Sequence, residues 1–401
     1  MSTRAHVRHN LTGTELRATG ALSAIFATRL LGLFMIYPIF VSYAERLRGA
    51  TPELIGIALG AYGLTQGFLQ IPFGVLSDRV GRKTMIVIGL VFLGVGSVVA
   101  ATSGSIYGVL LGRVLQGIGA VGSVLLAFVA DLTRDEVRTE AFGFVGVTIG
   151  ASFVLAIALG PIIGGAYGVA GAFWLTALFA VLGIGIVLFL VPRSARHVSH
   201  RETVWNALSS VLADGRLLEL DLGIFALQAI LIASFLAIPT LLTRTLHISD
   251  MGDWRFYVPM LIAAVVLMVP MLVLAERYKR MRAVFVATLV VQAATLASLV
   301  FFAGNPVVLI IALTLFFSAF TIMEALLPSL VTKVAPPSAK GAATGVYSSA
   351  QSLGIFAGGT LGGIALGMGG APAVLAFALL VSLVWLALVV YKPFSEASYA
   401  V

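Results

Sequence analysis

Twelve long apolar segments follow one another along the chain, and each is long enough to cross a lipid bilayer as a helix. A helical span needs about 20 residues. The apolar residues run continuously and do not alternate with polar ones, which favours helices over an outer-membrane barrel. Glycine or proline marks the short joints at 102–104, 167–168, 304–306 and 369–372. We predict spans at 20–43, 53–77, 84–102, 105–130, 139–166, 170–191, 219–243, 255–275, 283–302, 306–332, 341–366 and 372–391.

The composition supports a membrane protein. Of the 401 residues, 60% are apolar and 10% are charged, whereas about 25% of the residues of a soluble domain are charged. This shortage of polar surface excludes a cytosolic enzyme, a secreted domain and a disordered chain. The sequence has no cysteine, which excludes disulfides, zinc–thiolate sites and iron–sulfur clusters, and we expect no cofactor. We attribute the net charge of +8 to the loops of a membrane protein and not to nucleic-acid binding.

Basic residues are distributed unequally between the two sets of loops. The N-terminal tail, the loops after the even-numbered spans and the C-terminal tail carry most of the lysine and arginine residues. The loops on the other side contain only Arg46, Arg48, Arg244 and Arg255. Because basic loops stay in the cytoplasm, we expect a multi-pass protein of a bacterial-type inner membrane with both termini cytoplasmic.

One long connection divides the chain. It contains apolar residues at helical spacing, including Val204, Leu208 and Val211, which predicts an amphipathic helix on the cytoplasmic surface. We therefore expect an N-terminal six-helix bundle at 1–191, a linker at 192–218 and a C-terminal six-helix bundle at 219–401.

Two motifs recur at one common offset of 198 positions. The sequence at Gly160–Gly165 matches that at Gly358–Gly363, and the pair Asp78–Arg79 matches Glu276–Arg277. A duplicated six-helix unit is an architecture of transporters. We predict an all-α membrane fold of twelve transmembrane helices in two pseudo-symmetric bundles.

The loop after the second span has the sequence GVLSDRVGRK at Gly74–Lys83. It resembles the signature G-x-L-a-D-r-x-G-r-k of the major facilitator superfamily and departs from it at Ser77. The sequence at Arg113–Ala120 is similar to the second motif of that family, and Gly160–Gly165 is similar to the motif of its proton-driven exporters. The resemblance implies the twelve-span drug:proton antiporter branch. Residues 324–330 look closest to the YajR-type members, and we expect this chain to lack the extra soluble C-terminal domain that those members often carry.

The resemblance implies that the loop after span 2 latches the two halves in one access state. Gly81 permits a tight turn, and Asp131 at the cytoplasmic end of span 4 is a candidate partner for Arg82. The alternative is a topology anchor with no part in gating. The predicted latch comprises Gly74, Asp78, Arg79, Gly81, Arg82, Lys83 and Asp131.

Three charged residues, Arg29, Arg113 and Glu324, lie deep inside the predicted spans. A buried arginine costs from ~3 to above 10 kcal/mol, and we interpret Arg113 as an element of the proton or substrate path, as its family motif implies. Arg29 is a second candidate without such a motif. For both, the alternative is a structural role. Glu324 is a candidate to take up and release a proton, and the alternative is a permanent pair with an arginine.

Other polar residues of the spans are candidates for the wall of a central cavity. Gln116 lies one helical turn from Arg113 on the same face. Further candidates for the proton or substrate path are Tyr37, Gln66, Gln228 and Gln351. A wider set of polar and aromatic residues includes Tyr62, Gln70, Ser348 and Phe235. A mostly apolar cavity with two cations and one acid would suit an amphipathic or partly anionic substrate.

The exporter motif in span 5 has a mechanical interpretation. Pro161 removes a backbone hydrogen bond and kinks the helix, while Gly160, Gly164 and Gly165 allow close helix packing. The resemblance links this bend to export. The alternative is a kink with a structural role alone.

Together these features predict a secondary active transporter that exports a small hydrophobic or amphipathic compound in exchange for protons. We expect a monomer in the lipid bilayer, with a small molecule and protons as its partners. One alternative is proton-coupled uptake of a metabolite or a metal ion, and another is a membrane sensor that does not transport. The sequence contains neither His-Glu-x-x-His nor Gly-x-Ser-x-Gly, so we expect no enzyme, no catalytic residues and no bound metal.

Overall fold

The computed structural model describes residues 11–119, 121–134, 137–192, 201–247, 254–336 and 339–391. The helices are α1 Gly13–Phe34, α2 Phe40–Ala44, α3 Pro52–Val80, α4 Arg82–Thr102, α5 Ile106–Ile118, α6 Gly122–Leu132, α7 Arg138–Phe189, α8 Arg201–Ala213, α9 Gly215–Leu246, α10 Trp254–Glu276, α11 Met281–Phe302, α12 Pro306–Val334 and α13 Lys340–Tyr391. Within these ranges the extended structure amounts to one isolated bridge between Arg48 and Ser105.

Two helices are too long for one crossing, because each has 52 residues and a helix of that length is more than twice as long as the bilayer core is thick. Helix α7 breaks at Gly168 with φ of 67°, and α13 breaks at Gly369 and Gly370. These glycines lie at two predicted joints. Nine described helical segments are long and apolar enough to span a membrane. Counting α7 and α13 twice and adding α1 gives the twelve predicted spans.

The contacts of α7 show that the chain folds back at its break. Gly160 packs on the backbone of Met35, and Gly164 packs on Ile39 further along the chain. Beyond the break, the Thr176 hydroxyl donates to the Gly32 carbonyl at 3.1 Å. The chain has therefore returned past the same stretch of the first span, so the two parts of α7 are two antiparallel crossings.

Two predicted spans are interrupted. The first ends as helix α1 at Phe34 and continues after a turn as α2, because Pro38 in that turn has no backbone donor. The fourth is divided into α5 and α6, and Gly119 between them has ψ of 39°. Hydropathy is uninterrupted at both places, so the apolar pattern alone predicted continuous helices.

The predicted amphipathic helix of the linker is present as α8. Val211 on its apolar face is buried, whereas the next residue, Leu212, which is also apolar, is half exposed. Helix α8 packs against α9 and α13, so it lies against the second half of the chain. Residues 193–200 of the predicted linker lie outside the described residues.

The internal repeat is visible in the backbone of two equivalent loops. Gly81, between α3 and α4, has φ of 105°, and Lys279, at the offset of 198 positions, has φ of 53°. A positive φ is common for glycine and rare for lysine. The second loop has kept a positive φ at this position without its glycine, which supports two pseudo-symmetric bundles.

The two halves meet along a line of glycines, which we call the glycine seam: Gly56, Gly60, Gly63 and Gly67 of α3 with Gly359 and Gly363 of α13. Gly56 lies against the backbone of Gly359 and Gly363, and Gly63 lies against the Ser352 carbonyl. With no side chains between them, the two helix backbones touch. The seam extends from the start of α3 to its middle, so the halves are closed at that end.

The end at which the halves are closed contains Arg48 and Ser105, and we call it the closed end. The other end contains the loops around Gly81 and Lys279, and we call it the charged end. At the charged end, Glu15 in the first turn of α1 accepts from Nε of Arg134 at 2.9 Å and from Nη2 at 3.0 Å. The carboxylate also accepts from the Thr12 backbone at 2.8 Å. This ion pair attaches the start of the first span to the segment that follows α6.

We predict that Gly359→Leu destabilises the protein by about 1–3 kcal/mol, as overpacking of a tight core does. A β carbon at this position would overlap the backbone of Gly56 and Gly60. The matched control is Gly345→Leu in the same helix, where a β carbon meets no atom within 4 Å. Thermal unfolding of the purified variants measures the difference. Equal melting temperatures would contradict a close seam.

We also predict that Glu15→Gln lowers the melting temperature at pH 7. The Arg134 guanidinium holds the pKa of the Glu15 carboxyl well below its usual range. A carboxyl with a depressed folded pKa stabilises the protein above its unfolded pKa of about 4.3 and loses this effect as the pH falls. The difference between wild type and variant should therefore shrink below about pH 4. Glu140→Gln, at an exposed site in α7, should leave the melting curve unchanged at every pH.

Candidate functional site

Arg113 is fully buried near the middle of the membrane region, and each of its nitrogens has an acceptor. Nε donates to the Ala58 carbonyl at 3.3 Å and Nη2 to the Leu59 carbonyl at 3.0 Å. Nη1 donates to Oε1 of Gln116 at 2.8 Å. The guanidinium therefore joins α5 to α3. This satisfaction offsets part of the cost of burying its charge.

The surroundings of Arg113 extend its polar network to α4 and to the turn between α1 and α2. Nε2 of Gln116 donates to Ser97 of α4 at 2.8 Å. The guanidinium carbon lies 4.4 Å from the centre of the Tyr62 ring, a cation–π geometry. The Tyr62 hydroxyl is 2.7 Å from the Tyr37 hydroxyl. Gln116 and Tyr37 thus belong to one buried network with Arg113.

Arg29 is 4% exposed, and its Nη2 donates to Oε1 of Gln66. Nε2 of Gln66 then donates to the Ser352 hydroxyl of α13 at 3.1 Å. Gln66 therefore carries a hydrogen-bonded connection from the first half to the second. This link lies beside the glycine seam, because the Ser352 carbonyl packs on Gly63.

Glu324 lies in the middle of α12, and two glutamines hold its carboxylate. Nε2 of Gln228 donates to Oε2 at 3.0 Å, and Nε2 of Gln351 donates to Oε1 at 2.9 Å. The described partners of Glu324 are therefore neutral amides and not an arginine. Such partners can remain in contact with both the charged and the protonated carboxyl group, because a glutamine amide offers donors and an acceptor.

Aromatic side chains pack at the contact between the halves, next to the polar networks of Arg113 and Glu324. The ring centres of Tyr37 and Phe235 are 5.6 Å apart, and those of Phe153 and Phe320 are 5.0 Å apart. Phe235 in turn contacts Phe317 at 5.8 Å. Each of the first two pairs joins a residue of the first half to one of the second. Together with the glycine seam, this layer separates Glu324 from the closed end.

The predicted latch residues form a cluster at the charged end. Arg82 binds Asp131 through Nε at 2.9 Å and also pairs with Asp78. Lys83 donates to the Val191 carbonyl just beyond the end of α7. Gly74 packs on Ser123 of α6, while Arg79 is exposed beside the turn at Gly81. All these described contacts lie within the first half of the chain.

The exporter motif lies where α7 passes the turn between α1 and α2. A β carbon on Gly160 would overlap the Met35 carbonyl, and one on Gly164 would lie 3.0 Å from Ile39. Gly165 is exposed. Pro161 is buried, but the residue of α7 with non-helical φ and ψ is Gly168. Close packing at Gly160 and Gly164 agrees with the expectation, whereas Gly165 does not share it.

Sequence reasoning missed several members of this site. Ser97 is a single small polar residue in an apolar stretch, and it gave no distinct signal. The carbonyls of Ala58 and Leu59 carry no sequence signal, because any residue supplies one. Ser352 could have been found from its position next to Gln351, which had already been selected.

Twelve spans in two similar halves around buried charges define the class of a membrane transporter. The sequence profile of the Major Facilitator Superfamily matches residues 22–264 and 220–399. The chain belongs to this superfamily. Its relatives are transporters, and it is not an enzyme.

The chain is 42% identical over 387 residues to the inner membrane transport protein YajR of Escherichia coli (strain K12), covering 94% of this chain and 84% of that protein. It is 30% identical over 202 residues to the tetracycline resistance protein, class E, of Escherichia coli, covering 48% of this chain and 49% of the other. The crystal structure of the nucleoside transporter NupG has a TM-score of 0.72 and 13% identity, covering 95% of this chain and 100% of that chain. This last similarity shows the fold.

We predict that Arg113→Lys lowers the melting temperature more than Arg29→Lys does. A lysine ammonium cannot reproduce the three separate contacts of the Arg113 nitrogens, and hydrogen bonds to charged groups each contribute about 1.5–3 kcal/mol. Arg29 has one described hydrogen bond, so it should tolerate the same change better. Thermal unfolding of both purified variants makes the comparison. A larger loss for Arg29→Lys would contradict a bracing role for Arg113.

Proposed function

We propose that this transporter exports a small hydrophobic or amphipathic compound in exchange for protons, by alternating access of the two halves to a central site. The observation that carries the proposal is Glu324, a carboxylate in the middle of a span held by two neutral amides. An ionisable residue inside the membrane is a candidate proton site, since burying it for packing alone is unfavourable. Gln228 and Gln351 hold the carboxyl group both when it takes up a proton and when it releases one.

The direction of transport rests on the exporter motif and on the relatives. Gly160 and Gly164 let α7 approach the turn between α1 and α2, next to the place where the halves meet. One similar protein is named for resistance to tetracycline, which supports efflux. In this proposal the substrate path contains Arg29, Gln66 and Tyr37, while Arg113 and Gln116 hold the wall of that path in place.

Orientation follows from the basic loops. We place the charged end in the cytoplasm of an inner membrane, with both termini on that side. The chain then divides into bundles at 1–191 and 219–401 joined by the linker at 192–218, and it works as a monomer. In this arrangement the seam and the aromatic layer close the outer side, and the site faces the cytoplasm.

The contacts of the predicted latch residues support the same alternating-access cycle. Arg82 pairs with both Asp78 and Asp131 within the first half, and the described partners of these three residues do not include the second half. We infer that the cluster engages the second half when the cytoplasmic side closes. Lys83 and Arg79 hold the loop at the membrane surface, and Gly74 and Gly81 let it turn close to α6.

We predict that Glu324→Gln abolishes substrate-driven proton release, because glutamine cannot exchange a proton. Everted membrane vesicles with a pH-sensitive dye report the decay of an imposed gradient as lipophilic cations, dyes and weak acids are added. A compound that releases protons through wild type should release none through Glu324→Gln. The control Glu45→Gln changes an exposed carboxylate at the closed end and should behave as wild type.

Two results would contradict the proposal. Equal proton release by wild type and Glu324→Gln would show that Glu324 does not carry the exchanged proton. If no compound releases protons while a labelled metabolite accumulates in intact cells, transport runs inward and the export direction is wrong.

A further inference from the structure

A second carboxylate, Asp221, is buried in the same half of the chain as Glu324, and the proposed exchange of protons gives it no role. It lies in the second turn of α9 and is 6% exposed. Its Oδ2 atom has no hydrogen-bond partner among the described residues. Burying a carboxylate without a partner is unfavourable, and an ionisable residue inside a span is by default a candidate for function.

Asp221 lies in line with a group that holds Glu324. Along α9, Asp221 and Gln228 are two helical turns apart on the same face, and Gln228 donates to the Glu324 carboxylate. Along α13, Tyr347 and Gln351 are one turn apart on the same face, and Gln351 donates to the same carboxylate. The two helix faces that meet at Glu324 therefore carry one further polar residue each.

Helices α9 and α13 pack with their backbones in contact. A β carbon on Gly354 would overlap the Phe225 carbonyl, and one on Gly358 would overlap the Ala229 carbonyl. Each step of four residues along α13 thus matches a step of four along α9. The two helices therefore run in the same direction here and keep one register, which fixes how their polar faces are placed relative to each other.

Both helices begin at the charged end. Lys333, near the end of α12, is 3.8 Å from Glu276 beside the loop of Lys279. Helix α13 follows α12 after a short connection, so it starts at this end, and α9 runs parallel to it. Asp221 and Tyr347 precede the glycine contacts along their helices. They therefore lie on the side of those contacts that faces the charged end.

The hydroxyl of Tyr347 is a polar group shared by the two carboxylates. Tyr347 is 5% exposed, and its hydroxyl has no hydrogen-bond partner among the described residues. It interacts electrostatically with both Glu324 and Asp221. Because a phenol hydroxyl can donate and accept, it can contact either carboxyl group in its charged or its protonated form.

The described charges around Asp221 do not pair with it. On α9, Arg216 pairs with Asp214 at 3.0 Å, and Glu219 is half-buried. The described side chains of α8, residues 206–213, include no titratable group. Helices α2, α3, α12 and α13 also pack against α9. Besides Tyr347 and Glu324, their titratable groups have no described contact with Asp221: Tyr43 of α2, Glu53, Tyr62, Asp78 and Arg79 of α3, Lys333 of α12, and Lys340 and Tyr391 of α13.

We propose that Asp221 is a second proton-binding site, through which the proton of Glu324 passes to the charged end. This inference rests on the proposed exchange of protons and adds a step to it. Glu324 loses one proton as Asp221 gains one, and Asp221 then releases that proton to water at the charged end. Tyr347 is a positioning residue between the two carboxyl groups, and its hydroxyl has the same protons before and after the transfer.

The first test uses the purified full-length protein without substrate, and its probe is the proton alone. Infrared difference spectra are recorded between about pH 5 and about pH 9, where hydrated carboxyls stay ionised and tyrosine stays largely protonated. A buried carboxyl that binds a proton in this range gives a carbonyl band. We expect two such bands in wild type, one lost in Asp221→Asn and the other lost in Glu324→Gln. Glu219→Gln, in the same turn of α9, is the matched control and should keep both.

The second test adds these variants to the vesicle assay of proton release. Asp221→Asn should slow the release about tenfold or more, since a positioned proton-transfer group typically accelerates a step by about 100-fold or more. Tyr347→Phe keeps the ring and removes the hydroxyl. It should slow proton release as well but retain both infrared bands, because it removes no carboxyl group. Glu219→Gln should release protons as wild type does.

The inference is overturned if the infrared spectrum of Asp221→Asn matches that of wild type, or if this variant releases protons at the wild-type rate. Asp221→Glu keeps a carboxyl group and should keep a band that changes with pH. Loss of the band in this variant too would assign the effect to a damaged fold and would also overturn the inference. If no compound releases protons through wild type but the Asp221 band is present, the proposed export fails and the proton-binding site stands.

Discussion

A charged or polar group within a membrane must find its partners in the protein, because the hydrocarbon around it offers none. This constraint organises the centre of the molecule. Arg113 meets it by binding two backbone carbonyls and Gln116. Glu324 meets it by accepting from two glutamines. Arg29 meets it through Gln66 alone among its described hydrogen bonds. The three charges are therefore satisfied to different degrees, and Arg113 is the most fully hydrogen-bonded of them among the described contacts.

The same constraint explains why neutral amides dominate the site. A carboxylate paired with an arginine would be held in its charged form, and release of that pair would cost several kcal/mol. Glutamine adapts to either protonation state of Glu324. Gln228, Gln351 and Gln66 therefore connect helices and halves without fixing the charge of any one group.

Much of this arrangement was accessible from the sequence. The apolar runs predicted twelve spans, and the glycines at 168 and 369–370 marked two reversals correctly. The selection of Arg113 with Gln116 from helical spacing placed two contacting side chains. The offset of 198 positions predicted two similar halves, and the positive φ at Gly81 and Lys279 supports it.

The remaining features of the site could be seen only in the three-dimensional structure. Hydropathy does not register the break before Gly122, because glycine and its neighbours there are all compatible with the membrane. Packing partners such as Ser352 and the carbonyl of Ala58 come from distant parts of the chain, and one sequence contains no record of those pairings. Gly165 looked equivalent to Gly164, but only the helix face toward Ile39 is covered.

The glycine seam has a consequence for how the protein can diversify. Gly56, Gly60, Gly359 and Gly363 bring the halves together through backbone atoms, which every sequence possesses. Side chains elsewhere in the contact between the halves are not needed for this approach, so they can change without altering how near the two backbones lie. Conversely, even a single methyl group added within the seam would push the two helices apart. The closeness of the halves is thus set by the absence of side chains at a few positions, and a lineage can vary the other residues of the contact without rebuilding it.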